Sequence, residues 1–476
     1  MKAIILPEPE LEFGNGGRHE DIRFGIMNHG LLNQQDRRQQ IRVGIVGTGE
    51  SIEGARGWIE RCKGVIGAKD SSHSNLFPLF PGLSAETCFQ LECVVPERGV
   101  GIISERVLLE EFASGGDKGI EGVANVFSEE LKKIDEKENL DVVICAIPAS
   151  LLTPPATAED STAVTKETIL NFRGVLKAKS MHRRFPVQLL LPVTYGGKGN
   201  RSLVGAKPGT YEQGNTQDEA TRAWNFFVAL IYKAGISPWR LVRESGEYES
   251  CFIGVSFYKT LDSSKVMTSM AQVFNERGEG MIIRGDPIEL SKDDPQPHLS
   301  EGDARKLLGH ALKKYRDEHR HLPARVVLHK TSSFNQAEIN GFSSAVRDQQ
   351  IEFFDFLSIA KAGTRLFRHG KYPPLRGTFL SLDSSNHLLY TRGSCEFYET
   401  YTGMYVPKAL HLRLAVHESS AEQLAGEVLA LTKLNWNSTQ IDGSLPITLR
   451  AARRVGDVLK YLPAHEEPRA HYRYYM

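Results

Sequence analysis

Two lysines and a carboxamide are the groups in this sequence best suited to holding an anion. The stretch Lys177-Ala-Lys179-Ser-Met-His-Arg-Arg-Phe-Pro-Val-Gln188 puts several cations at the end of a helical pattern, then a polar amide, Gln188, in a strand otherwise apolar from Val187 to Leu191. An amide left unpaired in a buried strand costs about 1–3 kcal/mol. An anion gripped jointly by Lys and Gln would satisfy it. Lys233 closes a second helical run in which Asn225 accompanies Trp224, Phe226, Phe227, Leu230 and Ile231. It is either a further group for the same anion or a side chain that lies along apolar surface and complements the helix dipole. Gly47-Thr48-Gly49 is a separate candidate, because close backbone approach at a helix N-terminus suits a pyrophosphate. Its glycines, Gly47, Gly49 and Gly54, depart from G-x-G-x-x-G, and Asp70 is the one acid near the offset of a ribose ligand. A plain strand-to-helix turn is the competing reading.

Charge supports an anionic partner only locally. The 476 residues carry 58 Lys+Arg and 58 Asp+Glu, a balance that argues weakly against a general nucleic-acid binder. Between Thr165 and Ser245, however, 13 Lys/Arg face five acids, with Phe172, Tyr195, Tyr211 and Tyr232 interleaved. That combination suits phosphate contacts plus base stacking, although a solvated basic face has the same composition. With 41% hydrophobic residues the chain is globular, of about two to four domains at roughly 100–200 residues each. Six scattered cysteines without a C-x-x-C pair indicate reduced, buried thiols and exclude a zinc knuckle or disulfide framework. The start, MKAIILPEPELEF, lacks a signal-peptide core, and the apolar run Trp224–Tyr232 falls short of the ~20 residues that cross a bilayer. The expectation is a cytoplasmic protein with no membrane partner.

The elements that must position these groups alternate in the first half. Ile41–Val46 reads as a buried strand, Ser51–Arg61 as a helix, Glu129–Asn139 as a helix capped by Ser128, and Leu140–Ile147 as a second strand. Ser150–Ala163 reads as a loop, Lys166–His182 as a helix, Pro186–Val193 as a strand and Asp218–Ala234 as a helix. Strands separated by helices imply a parallel sheet covered on both faces. After Ser245 three consecutive strands follow (Cys251–Lys259, Val266–Asn275, Glu279–Arg284), then a Pro/Asp-rich loop, Gly285–Glu301. A helix (Gly302–His319), a strand (Arg325–Leu328), a helix (Gln336–Arg347) and a strand (Ile351–Ile359) complete the pattern. This is the order of a ribonuclease H-like layer.

Five segments, FRGVLKAKSMHRRFPVQ, ATRAWNFFVALIYKAGISPWRL, CFIGVSFYK, RVVLHKTSSF and LTKLNWNSTQIDGSLPITLRAARRVGDVL, occur in this order and resemble the MID and PIWI domains of the Argonaute family, specifically the short prokaryotic Argonautes. The resemblance runs from about Phe172 to the terminal Tyr-Arg-Tyr-Tyr-Met. It implies an α/β protein of two lobes: a Rossmann-like MID domain with an N-terminal extension over residues 1–245, and a ribonuclease H-like PIWI domain over residues 246–476. No segment is expected to form PAZ or N domains. In that family the MID domain holds the 5′-phosphate of a guide strand, and the matching positions are Arg173, Lys177, Gln188 and Lys233. Arg173 stands where many members have Tyr, and Ala229 where eukaryotic relatives have a second Lys. The less positive pocket implies a divalent cation such as Mg²⁺ at the phosphate, held by Gln188 and the C-terminal carboxylate of Met476.

Cleaving members of the family hold two metal ions with carboxylates, which is the arrangement two-metal hydrolysis requires. At the matching positions this sequence has Ser256, in CFIGVSFYK, and Thr331, where a cleaving relative reads His-Arg-Asp. A hydroxyl does not replace a charged ligand for Mg²⁺. Thr448–Ala452 offers no Asp or His for a further ligand, and Glu279 alone does not build a site. The expectation is a guide-binding subunit without catalysis of its own. The alternative is an active guided endonuclease with acids supplied from elsewhere, such as Asp262 or Asp383; a dinucleotide-dependent enzyme built on Gly47–Gly49 is the third reading. Lys179, Arg183, Lys259, Lys330, Arg365, Arg368 and Lys408 are candidate contacts to guide or target backbone. The resemblance further implies a guide RNA or DNA, a complementary single-stranded DNA target, and a heterodimeric partner carrying an APAZ domain with a sirtuin-like or TIR NAD-consuming domain. Together these would serve plasmid interference and antiviral defence by NAD depletion.

Overall fold

The computed structural model describes residues 2–32, 38–152, 166–196, 217–243, 248–274, 280–288, 294, 296–371, 373–403, 405–441, 443–463 and 465–476. Lys198, Arg201, Lys207, Tyr211 and Glu279, together with most of the loop Ser150–Ala163, lie outside them.

The amino-proximal lobe is built on parallel strands in the order Glu92–Val94, Gln40–Gly47, Val142–Ala146 and Val187–Leu190, with Val100–Ile102 also paired to Gln40–Gly47. The apolar runs dictate this arrangement: Val142–Ala146 is buried at every position, as a strand covered on both faces must be. Helix Gly49–Arg61 starts at Thr48, whose side chain accepts from Ser51 N–H, and Glu219–Lys233 starts at Asp218, which accepts from Thr221 N–H. One boundary differs from the sequence reading. The helix expected to begin at Ser128 runs from Gly116 to Lys137. Its apolar stripe (Ile120, Val123, Ala124, Phe127, Leu131, Ile134) is continuous across Ser128, and Gly115 and Gly116 take the left-handed φ that precedes it.

The second lobe contains a sheet that is nine-stranded among the described residues. Its order is Lys2–Ile5, Thr378–Ser381, Asn386–Leu389, Leu410–Val416, Phe353–Lys361, Arg325–Lys330, Ser250–Lys259, Val266–Phe274 and Gly280–Ile288. Ser250–Lys259 pairs antiparallel with Val266–Phe274 and parallel with Arg325–Lys330, which pairs parallel with Phe353–Lys361. Three antiparallel strands continued by two parallel ones form the ribonuclease H-like core the element order implied. Helices Glu301–His319 and Gln336–Asp348 bury Leu308, Leu312, Phe342 and Val346 against that sheet. Helix Ile447–Leu459 approaches so closely that a Cβ on Gly254 would lie 2.2 Å from the Thr448 carbonyl oxygen. The first strand is the unexpected member. Residues 2–5 belong to the segment expected in the amino-proximal lobe, yet Lys2–Ile5 pairs antiparallel with Thr378–Ser381 at the edge of the large sheet.

Between the lobes, Tyr232 stacks on Trp436 with ring centroids 4.3 Å apart, and Trp239 Nε1 donates to the Lys433 carbonyl at 3.2 Å. Asn225 Oδ1 accepts from Thr439 N at 2.8 Å, so this amide joins the lobes.

Candidate nucleic-acid interface

Three elements of the amino-proximal lobe converge on one buried cluster of cations. Lys177 lies near the end of helix Lys166–Lys179, Gln188 lies on the edge strand Val187–Leu190, and Lys233 is the last residue of helix Glu219–Lys233. Lys177 Nζ donates to the Val187 carbonyl at 3.1 Å, and Lys233 Nζ donates to Gln188 Oε1. Gln188 Nε2 donates to the Leu189 carbonyl at 2.9 Å. Both lysines are only 2% exposed. Burial is the main reason that both ammonium groups are held well below the ordinary lysine value. Lys233 adds to the effect on Lys177, and Arg173 and Arg454 act on both. Lys233 thus bonds to the Gln188 side chain, and Lys177 to the backbone carbonyl of the residue before it.

Arg173, one helical turn before Lys177, donates to the Tyr475 carbonyl, and burial together with Arg454 pulls it down to about 10. It forms the wall of a cleft of about 510 Å³ between the lobes. Lys361, Arg392, Arg450, Arg453 and Arg454 also line that cleft, against the single acidic side chain Asp457. Such a cavity concentrates positive potential and suits a polyanion. Arg450, Arg453 and Arg454 were missed as site residues although their spacing of three and four along Ile447–Leu459 places them on one helix face. Lys361 and Arg392 carry no comparable local signal.

The other candidate backbone contacts do not line this cleft. Lys179 pairs with Glu121 at 3.2 Å, the Arg183 carbonyl accepts from Arg469, and Arg368 Nε donates to the Pro373 carbonyl at 3.0 Å. Lys259, Arg365 and Lys408 are exposed. Lys330 requires correction. Its ammonium is buried in an ion pair with Glu338 at 2.7 Å, donates to the Ser333 carbonyl at 2.8 Å and lies over the rings of Phe257 and Phe334. A cation so enclosed is not offered to a strand; it joins the helix Gln336–Asp348 to the sheet.

The resemblance also implies a divalent cation at the phosphate, held by Gln188 and the C-terminal carboxylate of Met476. Gln188 Oε1 accepts from Lys233 among neighbouring cations, and Met476 lines the cleft with Arg173. A dianion would relieve that crowding of charge.

In the second lobe the last parallel pair is Val255 with Lys330; Ser256 lies one residue beyond it on its strand, and Thr331 follows the end of strand Arg325–Lys330. Ser256 is buried and faces Ser269 across the antiparallel pair. His329 Nδ1 lies 2.9 Å from Thr448 Oγ1, and burial pulls this imidazole down to about 3, so it is neutral at physiological pH. Asp262 is committed to its turn, accepting from Thr260 Oγ1 at 2.6 Å and Ser264 Oγ at 2.7 Å; these bonds hold it at about 2. Asp383 likewise accepts from the Ser385 and Asn386 amides, each at 2.8 Å. Both acids lie in turns at strand ends, and Ser256 is already roughly 10 Å from the end of its own strand at Lys259.

A larger cavity, about 620 Å³, opens elsewhere, at the start of the strands, beside the buried group Arg325, Asp355 and Glu427. At the Gly47–Gly49 turn, Ser51 Oγ donates to the Ala146 carbonyl at 3.0 Å and the Tyr195 ring packs over Gly54. A Cβ on Gly47 would meet the Ser51 hydroxyl, whereas Gly49 faces open space.

A Rossmann-like lobe and a ribonuclease H-like lobe joined in this order constitute the MID–PIWI fold of Argonaute proteins, and that is the fold of this chain. No family model matches the sequence, and no curated protein sequence matches it. Solved structures do match. The Clostridium butyricum Argonaute bound to a guide DNA and a 19-mer target DNA is similar over 98% of this chain and 53% of its own, with a TM-score of 0.65 at 14% identity. The structure of Aa-Ago with externally bound siRNA is similar over 99% and 56%, with a TM-score of 0.60 at 15% identity. Drosophila Piwi is similar over 99% and 56%, with a TM-score of 0.57 at 13% identity. The chain thus spans about half the length of the Argonautes it matches.

Proposed function

We propose that this chain binds the 5′-phosphate end of a guide strand, an RNA, and presents it to complementary single-stranded DNA. The observation that carries the proposal is the convergence of Lys177, Gln188 and Lys233 in a buried cluster, with Arg173 linking it to the cation-lined cleft. A phosphate dianion entering there accepts hydrogen bonds from both ammonium groups, in place of the carbonyl and amide oxygens they now reach. The cleft then carries the following phosphates, and base pairing reads the sequence, a division of labour seen in guided effectors generally.

The proposal includes the absence of target cleavage. Ser256 and Thr331 occupy the positions that would need carboxylates, and hydroxyls do not hold two hard cations. It extends to a separate APAZ-containing protein with a sirtuin-like or TIR NAD-consuming domain, in a defence complex of the short prokaryotic Argonaute type. Target pairing switches that partner only to the extent that the duplex binds one arrangement of the complex better than the other.

Nucleic acid recovered with the purified chain tests the core of this reading. The expected result is a 5′-phosphorylated strand that is lost in Lys177→Ala/Lys233→Ala; retention by that variant overturns it. Incubation with a matched guide, target and Mg²⁺ or Mn²⁺ is expected to leave the target intact. Metal-dependent cleavage abolished by Asp262→Asn or Asp383→Asn would restore the endonuclease reading. Co-expression with an APAZ-containing protein from the same operon is expected to give a stable heterodimer that consumes NAD only with guide and target present.

A further inference from the structure

Glu249, His319 and His321 bring three ligand atoms within 4.8 Å of one another and are not among the residues that line the basic cleft. We propose that they form a binding site for a borderline transition-metal cation of the Zn²⁺ class. The chemistry of the set is the first argument: two imidazoles and one carboxylate are the ligands that Zn²⁺ takes, whereas Mg²⁺ and Ca²⁺ select oxygen alone. Metal–ligand bonds of 2.0–2.1 Å in a tetrahedron put donors roughly 3.3–3.4 Å apart, so the three atoms need to close by little more than 1 Å.

Local structure favours the same atoms. His319 is the last residue of helix Glu301–His319, and Arg320 takes a left-handed conformation, φ 67°, whose amide donates to the Arg316 carbonyl. That turn folds the chain back so that the imidazoles of His319 and His321 lie 6.0 Å apart, centroid to centroid. It also places them at the negative end of a helix dipole, which favours a cation. His321 Nδ1 lies 3.1 Å from the Leu322 carbonyl, a contact that puts the ring proton on Nδ1 and leaves the Nε2 lone pair for a metal. His321 Nε2 is 3.8 Å from Glu249 Oε1. The Tyr315 hydroxyl donates to the same carboxylate, and the Tyr315 ring stacks on His319 at 4.4 Å. Tyr315 is thus a positioning residue for two of the three ligands.

The bound cation would join the residue just before the central strand Ser250–Lys259 to the end of the helix that covers its sheet. Three protein ligands leave a position for water or for a fourth donor from a partner.

The test uses the full-length, tag-free chain, freed of metal by a chelator and without any nucleic acid, so its result is independent of the guide-binding proposal. Zn²⁺ is titrated by calorimetry and Co²⁺ by visible absorption. The expected result is one site per chain, the absorption bands of four-coordinate Co²⁺, and a higher melting temperature with Zn²⁺. His321→Ala is expected to weaken binding about tenfold or more and to abolish the thermal shift. Because His321 is exposed, this variant should fold. His369→Ala, at an exposed histidine elsewhere, should bind as the parent does. Absence of saturable binding, or equal binding by parent and His321→Ala, overturns the site.

Discussion

Lys177 and Lys233 are costly side chains to bury, and the direction of that cost is informative. Burial, with Arg173 and Arg454 close by, holds both below the lysine value of 10.5. A lysine whose pKa is lower in the folded than in the unfolded chain binds fewer protons when folded. Below the unfolded value it therefore opposes folding, and the opposition fades as pH rises through the window between the two values. A phosphate dianion reverses the shift by stabilising the ammonium forms, so binding should take up protons. The affinity for a 5′-phosphorylated guide is expected to fall as pH is raised from neutrality toward 10, while a 5′-hydroxyl guide shows no such dependence. Calorimetry in two buffers of different ionisation enthalpy reads the proton uptake directly; its absence would mean that the two amines are not the phosphate ligands. The residue types and their order along the chain made Lys177, Gln188 and Lys233 legible, because a polar amide in an apolar strand asks for a partner. The capture of Lys330 by Glu338 was not legible, because an acid eight residues away on the following helix meets it only after the helix docks.

At the scale of elements, helix Ile447–Leu459 does two things at once. One face carries Arg450, Arg453 and Arg454 to the cleft, and the other packs on the central strand at Gly254. Gly254→Ala would drive a methyl group into the Thr448 carbonyl, and a small-to-large change in so tight a contact is expected to cost about 1–3 kcal/mol. A lowered melting temperature, with weaker guide binding as the arginines shift, is the expected outcome; an unchanged melt would mean that the helix docks elsewhere. Most strands and helices followed from periodicity because their apolar patterns are long. The start of Gly116–Lys137 did not, since Ser128 is a good capping residue by type and only the unbroken stripe through Phe127 and Leu131 overrules it.

Across the whole molecule, the amino-terminal segment is clasped to the second lobe by buried charge. Glu8 accepts from Arg376 Nε at 2.8 Å and from Lys433 Nζ at 2.9 Å, and Arg376 also donates to Thr432 Oγ1 at 2.8 Å. Burial alone would raise the Glu8 pKa, but the two cations outweigh it and hold the carboxyl below its usual range. The stability it contributes is present above the unfolded value of 4.5 and is lost as pH falls through the folded one. Glu8→Gln leaves two buried cations without their counter-charge and is expected to destabilise by about 3–5 kcal/mol, read by urea unfolding at neutral pH. A loss under 1 kcal/mol would mean that the clasp is not needed. Residues hundreds of positions apart form this contact, so nothing in local pattern announces it.

The same scale sets the salt dependence of binding. A cleft lined by Arg392, Arg450, Arg453 and Arg454 should release counterions when it takes up a strand, and Arg453→Ala should reduce the slope of log K against log [salt] by about 1 unit. A slope that does not change would place the strand outside the cleft.

The central claim is that this molecule recognises a terminal phosphate. The most direct measurement is equilibrium binding of two guides of identical sequence, one with a 5′-phosphate and one with a 5′-hydroxyl, to the parent chain and to Lys177→Ala/Lys233→Ala. Two charge-assisted hydrogen bonds are worth at least about 3 kcal/mol together, so the parent should prefer the phosphate by about 100-fold or more and the variant should show almost no preference. Equal affinity of the parent chain for both guides would contradict the account.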